Sequence, residues 1–321
     1  MKLDPQVQAI LDIQAAAWAK GAQKFHELSA EAARETYRRG SDAFCASPPK
    51  VAEITDLAFE GPGGPVPLRL YRPLGSDSES LLPVLVYFHG GGFVVGGIDT
   101  HDTLCRRLCN EGGFAVLSVE YRLAPEHPFP AAMDDAYAAI EWAAAYGGEH
   151  GFDGGRLAVG GDSAGGTLSA VACLMARDVN GPAIAFQALL YPGIDMDYNE
   201  GSRQALGEGY ILDKESMAYF YRHFMGESGN RTDWRASPIK AADHSNLPPA
   251  LVLTAGFDPL KDEGLAYAEK LNSAGVDANY SCYNGMAHGF LTMDGMIDMA
   301  GEAIGEIAKE VANALERVPQ S

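Results

Sequence analysis

The pentapeptide at residues 161–165 has the pattern Gly-x-Ser-x-Gly, with Ser163 at its centre. An apolar run that predicts a buried strand precedes it, and a helical stretch begins at Ala164. A sharp strand-to-helix turn would lift the serine hydroxyl clear of a sheet, and side chains at positions 161 and 165 would collide there. The pattern indicates a serine nucleophile, although five such residues also fit an ordinary glycine-rich turn.

Three consecutive glycines at 90–92 follow His89, directly after an apolar run at 84–88. Glycine gives the chain extra conformational entropy, so a plausible benefit is close approach of bare backbone to a substrate. Gly91, Gly92 and Ala164 are the predicted donors of N–H groups to a developing oxyanion. A flexible turn is the alternative, and a phosphate-binding loop is disfavoured because no Gly-Lys-Ser/Thr follows. For His89 we expect a role in holding the loop rather than in proton transfer.

A serine hydroxyl needs a base within hydrogen-bond distance to become a nucleophile. Of the eight histidines, His288 is the best candidate, because it follows the last predicted strand in a short loop of small residues. The others lie in helices, turns or a polar insertion. His101, which follows the glycine loop, is expected to pack near the site without acting as the base.

The base needs a carboxylate that fixes its tautomer and stabilises the imidazolium. Asp258 directly follows an apolar run that ends near residue 254, whereas Asp262 and Glu263 are placed to begin the next helix. Asp258 is therefore the predicted partner of His288, with Asp262 and Glu263 as the rivals. The resulting chain order, Ser163, Asp258, His288, is the order found in α/β-hydrolases.

These side chains must be positioned by the elements that precede them. Continuous apolar runs predict strands buried on both faces, and helical patterns fall between and after them. This alternation predicts an α/β fold with a mostly parallel central sheet and helices on both faces. The chain order of the predicted triad adds the expectation of the α/β-hydrolase fold, here with a helical cap. The predicted strands are 66–71, which alternates, and the apolar runs 84–88, 115–119, 157–159, 188–191, 250–254 and 279–283. The predicted helices are 131–146, 164–175, 263–273 and 297–317.

Two stretches break the strand–helix rhythm. Residues 1–46 are helical in pattern and end at Ser47-Pro48-Pro49, and residues 193–235 are polar and aromatic and do not fit another strand–helix unit. We expect both to form a cap over the carboxyl edge of the sheet. Residues 47–192 and 236–321 then form the catalytic domain.

Composition narrows the classes of partner. The 321 residues carry a net charge of −19, which disfavours nucleic acid and anionic membranes. The N-terminal residues lack the apolar core of a secretion signal, and no apolar run approaches the ~18 residues of a membrane span. The five cysteines include no Cys-x-x-Cys pair, so reduced thiols and a cytoplasmic location are expected.

Five motifs in order resemble the hormone-sensitive-lipase family of α/β-hydrolase carboxylesterases, in its bacterial branch. They are His-Gly-Gly-Gly-Phe at 89–93, a Glu-Tyr-Arg-Leu-Ala-Pro stretch within 120–131, Gly-Asp-Ser-Ala-Gly-Gly at 161–166, Asp-Pro-Leu at 258–260 and His-Gly-Phe at 288–290. The resemblance implies a triad of Ser163, Asp258 and His288, and an oxyanion hole at Gly91, Gly92 and Ala164. It implies a bracing, non-catalytic role for residues 121–130.

The resemblance also implies hydrolysis of short- to medium-chain acyl esters through an acyl-enzyme, with a small-molecule ester as partner and without metal or cofactor. A homodimer is one expected assembly, because many members of the family form dimers. The cap residues expected to line the acyl pocket are Ile211, Leu212, Met217 and Phe220. The alternatives are a ligand-binding or receptor protein on an inactive hydrolase scaffold, or an amide or lactone hydrolase that uses the same triad.

Overall fold

A computed structural model describes residues 2–77, 80–226 and 229–318. Its central element is one eight-stranded sheet with the strand order β1-β2-β4-β3-β5-β6-β7-β8. The strands are β1 (Glu53–Gly61), β2 (Gly64–Arg72), β3 (Leu82–Phe88), β4 (Ala115–Val119), β5 (Phe152–Asp162), β6 (Phe186–Leu190), β7 (Ala250–Phe257) and β8 (Ala278–Ala287).

Strands β3 to β8 are mutually parallel, whereas β2 pairs antiparallel with both β1 and β4. The α-helices are α1 (Pro5–Ala19), α2 (Ala30–Phe44), α3 (Asp102–Gly112), α4 (Ala131–Tyr146), α5 (Ala164–Asp178), α6 (Gly201–Ala205), α7 (Lys214–Met225), α8 (Lys261–Ser273) and α9 (Asp298–Glu316).

The predicted fold class is confirmed, and each strand predicted from an apolar run overlaps a strand of the sheet. The patterns underestimated β5, which extends from 152 to 162, because its first residues are polar and glycine-rich. They also left two elements without a specific prediction. These are helix α3 and strand β1, whose alternating burial is that of an edge strand with one solvated face.

The sheet separates two apolar cores because successive strand side chains point to opposite faces. On β3, Val84, Val86 and Phe88 belong to the core beneath α4, α5 and α8. Leu85 and Tyr87 belong to the other core, which α3 and α9 cover. Burial on both faces explains the unbroken apolar run of β3 and fixes the plane of the sheet.

Four parallel strands end immediately before residues that the sequence singled out. β3 ends before His89, β5 before Ser163, β7 before Asp258 and β8 before His288. Since the carboxyl ends of parallel strands lie on one edge of the sheet, all four residues meet at that edge. The ends of neighbouring strands are nearly level, because Phe88 of β3 pairs with Gly161 of β5 and Phe257 of β7 pairs with Ala287 of β8.

The two stretches expected to form a cap contain α1 and α2 in one case and α6 and α7 in the other. They touch each other through Phe25 and Phe220, whose ring centroids are 5.9 Å apart. The expected domains include a few residues that lie outside the described part of the chain, namely Met1, Ser78, Glu79, Glu227, Ser228 and 319–321. The division into cap and catalytic domain stays a prediction.

Candidate active site

Ser163 occupies the turn between β5 and α5 with φ 54° and ψ −115°, a conformation that costs free energy in a residue with a side chain. The turn is tight because it lies against β3. A Cβ at Gly161 would come 2.3 Å from the carbonyl oxygen of Phe88, and one at Gly165 would come 1.8 Å from the same atom. Glycine is therefore required at both positions by the neighbouring strand as well as by the turn.

The structure brings the three distant residues of the predicted triad into one hydrogen-bonded chain. Ser163 Oγ lies 2.9 Å from His288 Nε2, and His288 Nδ1 lies 2.7 Å from Asp258 Oδ2. An ionised carboxylate only accepts, so Nδ1–H donates to Asp258 and Nε2 is left to accept the serine proton. Asp258 is fully buried and His288 nearly so, which strengthens these interactions relative to water.

The rivals of Asp258 are committed elsewhere. Asp262 Oδ2 accepts from the N–H of Ser202 at 2.8 Å, and Glu263 accepts from the N–H of Ile194 at 2.9 Å and pairs with Arg203. Both lie in the first turn of α8, as the helix pattern predicted. Asp258 uses its second oxygen to accept from the N–H of Leu260 at 2.8 Å, which fixes the orientation of its carboxylate.

Tyr191 contacts His288 and was missed by sequence reasoning. Its ring stands edge-on to the imidazole with centroids 4.9 Å apart, and its backbone has a positive φ of 36°. A non-glycine residue with positive φ beside a functional side chain is held there by its surroundings. The available signal was its place at the carboxyl end of a predicted strand, next to that of Ser163.

The glycine loop presents bare backbone toward Ser163. Gly91 and Gly92 have φ of 121° and 59°, and the carbonyl of Gly91 accepts from the N–H groups of Val94 and Val95. The N–H of Gly92 belongs to the same peptide unit as that carbonyl and therefore points the opposite way. Within the described ranges, the N–H groups of Gly91, Gly92 and Ala164 do not donate to another residue of the protein. Ala164 directly follows Ser163 at the positive end of the α5 dipole.

His89 supports this loop from inside. It is fully buried, and its Nδ1–H donates to the carbonyl of Gly90 at 2.8 Å. Its ring stacks on Tyr121 at 4.2 Å, and the Tyr121 hydroxyl donates to the His89 carbonyl at 2.7 Å. Burial, together with the nearby charge of His101, lowers the pKa of His89 to about 3. A neutral, enclosed histidine of this kind fits the expected holding role.

Residues 121–130 brace the loop from the other side. Ala124 donates its N–H to the carbonyl of Phe93 at 2.8 Å, and Arg122 pairs with the buried carboxylate of Asp135 at 2.7 Å. These contacts tie the segment to the glycine loop and to α4. They support the bracing role that the family resemblance implies for this stretch.

Arg34 of α2 is a second residue that the sequence did not single out. Its Nε–H donates to the carbonyl of Val94 at 2.8 Å, and one terminal nitrogen donates to the carbonyl of Ala124 at 2.9 Å. It also pairs with Glu126. One guanidinium thus joins the N-terminal segment to the loop after Gly92 and to the brace. No local motif announces such a contact, because its partners are backbone atoms about 60 to 90 positions away.

The four predicted pocket residues fall in two places. Phe220 and Met217 are three positions apart on one face of α7, and the Phe220 side chain lies directly against Gly92. Ile211 and Leu212 are half-buried in the turn before α7. That turn approaches the triad, since Tyr210 contacts Phe257, the neighbour of Asp258, with ring centroids 5.2 Å apart. Their lining role stays a prediction.

No group of three or more His, Cys, Asp or Glu side chains among the described residues is arranged to hold a metal ion. In the same part of the chain, no helix combines the length and the apolar character needed to cross a bilayer. A hydroxyl, an imidazole, a carboxylate and three N–H donors suit addition to a carbonyl carbon.

Comparison with known proteins identifies the fold family and the relatives of this chain. A family model described as the alpha/beta hydrolase fold matches residues 85–292. The carboxylic ester hydrolase LipN of Mycobacterium tuberculosis is 43% identical over 272 residues, which cover 83% of this chain and 72% of LipN. The ethyl acetate hydrolase of Pseudomonas putida is 37% identical over 95% of this chain and 96% of its own length.

Solved structures that are similar to this chain include an α/β-hydrolase enzyme and an esterase. A serine-to-alanine mutant of an α/β-hydrolase enzyme from the metagenome of Lake Arreo, Spain, superposes with a TM-score of 0.95 at 43% identity, over 98% of this chain and 99% of that one. A hyperthermophilic esterase from the archaeon Pyrobaculum calidifontis superposes with a TM-score of 0.92 at 41% identity, over 98% and 99%.

Proposed function

Because the chain belongs to the hormone-sensitive-lipase family of α/β-hydrolase-fold proteins and is a carboxylic ester hydrolase, we propose that it cleaves short- to medium-chain acyl esters through an acyl-enzyme on Ser163. One observation carries the proposal. Ser163, His288 and Asp258 form one hydrogen-bonded chain, and the N–H groups of Gly91, Gly92 and Ala164, the proposed oxyanion donors, are unused within the described residues.

In the first step, His288 Nε2 takes the hydroxyl proton as Ser163 Oγ attacks the ester carbonyl carbon. The carbonyl oxygen becomes an oxyanion, which the N–H groups of the hole stabilise. Asp258 stabilises the imidazolium that forms. The tetrahedral species then collapses, the bond to the alcohol oxygen breaks, and the alcohol leaves with the proton from His288.

In the second step, His288 takes a proton from water, and the hydroxide oxygen attacks the acyl carbon. The same three donors hold the second oxyanion. Collapse breaks the bond to Ser163 Oγ, which recovers its proton from His288, and the carboxylic acid is released. The proton that leaves with the alcohol is replaced by one from water, so Ser163 and His288 regain their starting protonation and the cycle balances without a metal or cofactor.

The preference for short acyl chains rests on the covering of the hole. Phe220 lies against Gly92, and Phe25 packs on Phe220, so two aromatic side chains from the two cap segments cover this side of the site. A bulky roof at that position limits the length of an acyl group bound beneath it. A relative of nearly equal length is named an ethyl acetate hydrolase, which agrees with a small ester.

The test is a series of aryl esters from acetate to long-chain acyl, measured on the wild type and on Ser163→Ala. We expect a maximum of kcat/KM at short to medium chains and a loss of at least about 10³-fold in the variant. The exposed Ser273, whose hydroxyl bonds the carbonyl of Glu269, provides a matched control as Ser273→Ala. Undiminished ester cleavage by Ser163→Ala would refute the nucleophile.

A second measurement separates this mechanism from one without a covalent intermediate. An acid quench during turnover of an aryl acetate, followed by peptide mass analysis, should find the acetyl group on the peptide that contains Ser163. Aryl amides and lactones run in parallel would reveal a broader acyl-transfer activity. Binding of esters without release of acid or alcohol would instead favour an inactive scaffold.

A further inference from the structure

Two buried titratable side chains that the proposed mechanism does not use lie behind the glycine loop. Asp162 is the residue before Ser163, and His101 follows the loop in sequence. They are 2% and 1% exposed, and Asp162 Oδ1 lies 3.3 Å from His101 Nε2. A carboxylate this deeply buried is costly unless a positive charge and hydrogen bonds compensate it.

The carboxylate of Asp162 has hydrogen bonds from a side-chain hydroxyl and from a backbone N–H group. Its Oδ1 accepts from the hydroxyl of Tyr87 at 2.8 Å and from the N–H of Gly90 at 2.9 Å. Gly90 is the first glycine of the oxyanion loop. A Cβ there would come 2.3 Å from Asp162 Oδ2, so the carboxylate and the loop backbone are in direct contact.

The partners of His101 fix where its protons are. Nδ1 lies 2.9 Å from Thr100 Oγ1 and 3.3 Å from the carbonyl of Gly97. The Thr100 hydroxyl also lies 2.9 Å from the Gly97 carbonyl, and when it donates there both partners of Nδ1 are acceptors, so that Nδ1 carries a hydrogen.

The other nitrogen faces a carboxylate. Nε2 lies 3.3 Å from Asp162 Oδ1 and also 3.3 Å from the N of Gly90, but the Gly90 N–H has its shorter contact with Asp162. An unprotonated Nε2 would lie 3.3 Å from an anionic oxygen without a hydrogen to share. A hydrogen on both ring nitrogens makes His101 an imidazolium, which places a positive charge beside the buried carboxylate and leaves the Gly90 N–H to Asp162.

We propose that Asp162 and His101 form a buried ion pair that positions the N–H of Gly90, and through it the oxyanion hole at Gly91 and Gly92. The inference rests on the proposed function, because only that function gives the loop a catalytic task. Neither residue touches the reacting atoms. Both are positioning residues, with Asp162 joining the turn that carries the nucleophile to the loop that carries the donors.

The surroundings favour a paired charge over a free one. Tyr37 of α2 stacks on His101 at 6.3 Å, the rings of His89 and Tyr87 lie 5.5 and 6.5 Å away, and Glu120 bonds the N–H of Ile98 nearby. Burial by itself would raise the pKa of Asp162, but the charge of His101 and the hydrogen bonds from His101 and Tyr87 outweigh it, so this pKa lies below its usual value. An ionised Asp162 agrees with the geometry.

The direct test is ¹⁵N NMR of the histidine rings of the wild-type protein near neutral pH, with the His101 signals assigned by their absence in His101→Asn. We expect protons on both His101 nitrogens. A neutral ring with a bare Nε2 that accepts from Gly90 would overturn the ion pair. This readout does not depend on activity, so it stands or falls separately from the proposed role of Ser163.

The functional test uses Asp162→Asn, His101→Asn and the double variant, with the exposed Asp178→Asn as the matched control. Each single variant should lower kcat by about 10- to 100-fold, with KM changed by less than about threefold, because a displaced oxyanion donor acts on the transition state. The double variant should lose much less than the product of the two single losses, because neither charge is then left unpaired.

A stabilising role without positioning would give a different result. The midpoint temperatures of thermal unfolding would fall. At temperatures well below those midpoints, kcat per folded molecule would be unchanged. Active-site titration with an aryl phosphonate counts the folded molecules. Losses in kcat that multiply independently in the double variant would also contradict the pair. If the variants fail to fold, the ring protonation of the wild type still decides the question.

Discussion

Phe220 of α7 packs against Gly92 so closely that a Cβ on residue 92 would lie 2.5 Å from Phe220 Cγ. The contact joins the inserted segment to the loop that carries the proposed oxyanion donors. Gly92 also has φ 59°, a region that side chains rarely adopt. The same contact therefore restricts residue 92 to glycine and is the basis for the proposed roof over the acyl site.

Substitution Gly92→Ala is expected to lower kcat/KM by about 10²-fold, because the new methyl group displaces Phe220 and strains a backbone that supplies a donor. Combining it with Phe220→Ala should restore part of the activity, since the clash is with a side chain. Gly91→Ala is the contrasting variant. Its methyl group would lie 2.1 Å from the backbone carbonyl of Val95. Steady-state kinetics that showed equal rescue of both variants by Phe220→Ala would contradict this account.

Removal of the Phe220 ring by itself is expected to move the acyl-chain optimum of wild-type activity toward longer chains, because the roof over Gly92 becomes an open cavity. Replacement of a fully buried phenylalanine by alanine typically costs about 3–5 kcal/mol of stability. The loss in Phe220→Ala should be smaller, since Phe220 is only half-buried. The measurement is the aryl ester series with Phe220→Ala. Tyr146→Ala, which removes an exposed aromatic ring of α4, is the control. An unchanged optimum would show that Phe220 does not limit the length of the bound acyl chain.

Asp258→Asn should reduce kcat by about 10⁴-fold with little change in folding, because an amide no longer fixes the Nδ1–H tautomer of His288. Asp262→Asn is the matched control from the same loop region. Its carboxylate bonds the N–H of Ser202, and its loss should change kcat by less than about threefold. Comparable losses in the two variants would show that the choice of Asp258 over its neighbour is wrong.

Stability should depend on pH through His89. Its pKa is lowered from 6.5 to about 3 by burial and by the charge of His101, so between these values the unfolded chain binds a proton and the native protein does not. The free energy of unfolding therefore falls as pH decreases from about 6.5 toward 3, by up to about 1.4 kcal/mol per pH unit from this group.

In His89→Asn that contribution is absent, so the decline of stability between pH 7 and pH 4 should be shallower than in the wild type. Urea unfolding at a series of pH values measures the difference. The exposed His127→Asn should keep the wild-type slope. Parallel slopes for the wild type and His89→Asn would show that His89 is not held neutral in the native protein.

Residue patterns alone were enough to infer the strand–helix alternation, the carboxyl edge of the sheet and the residues that follow each strand there. Apolar runs predict buried strands because both faces of a parallel sheet are covered. A parallel sheet in turn brings the residues after β3, β5, β7 and β8 to one edge, however far apart they are in the chain. Ser163, Asp258 and His288 could be selected together for that reason, and so could the glycines of the loop.

The side chains that support these residues could be identified only from the packing of the folded chain. The contact of Tyr191 with His288, the hydrogen bonds of Arg34 to loop carbonyls and the pairing of Asp162 with His101 join segments that no local pattern relates. Their partners are ring faces, backbone carbonyls or buried charges, and periodicity carries no information about these. The same reason explains why the place of Phe220 over Gly92 emerged only from packing: the direction of an inserted helix is set by the surface it covers.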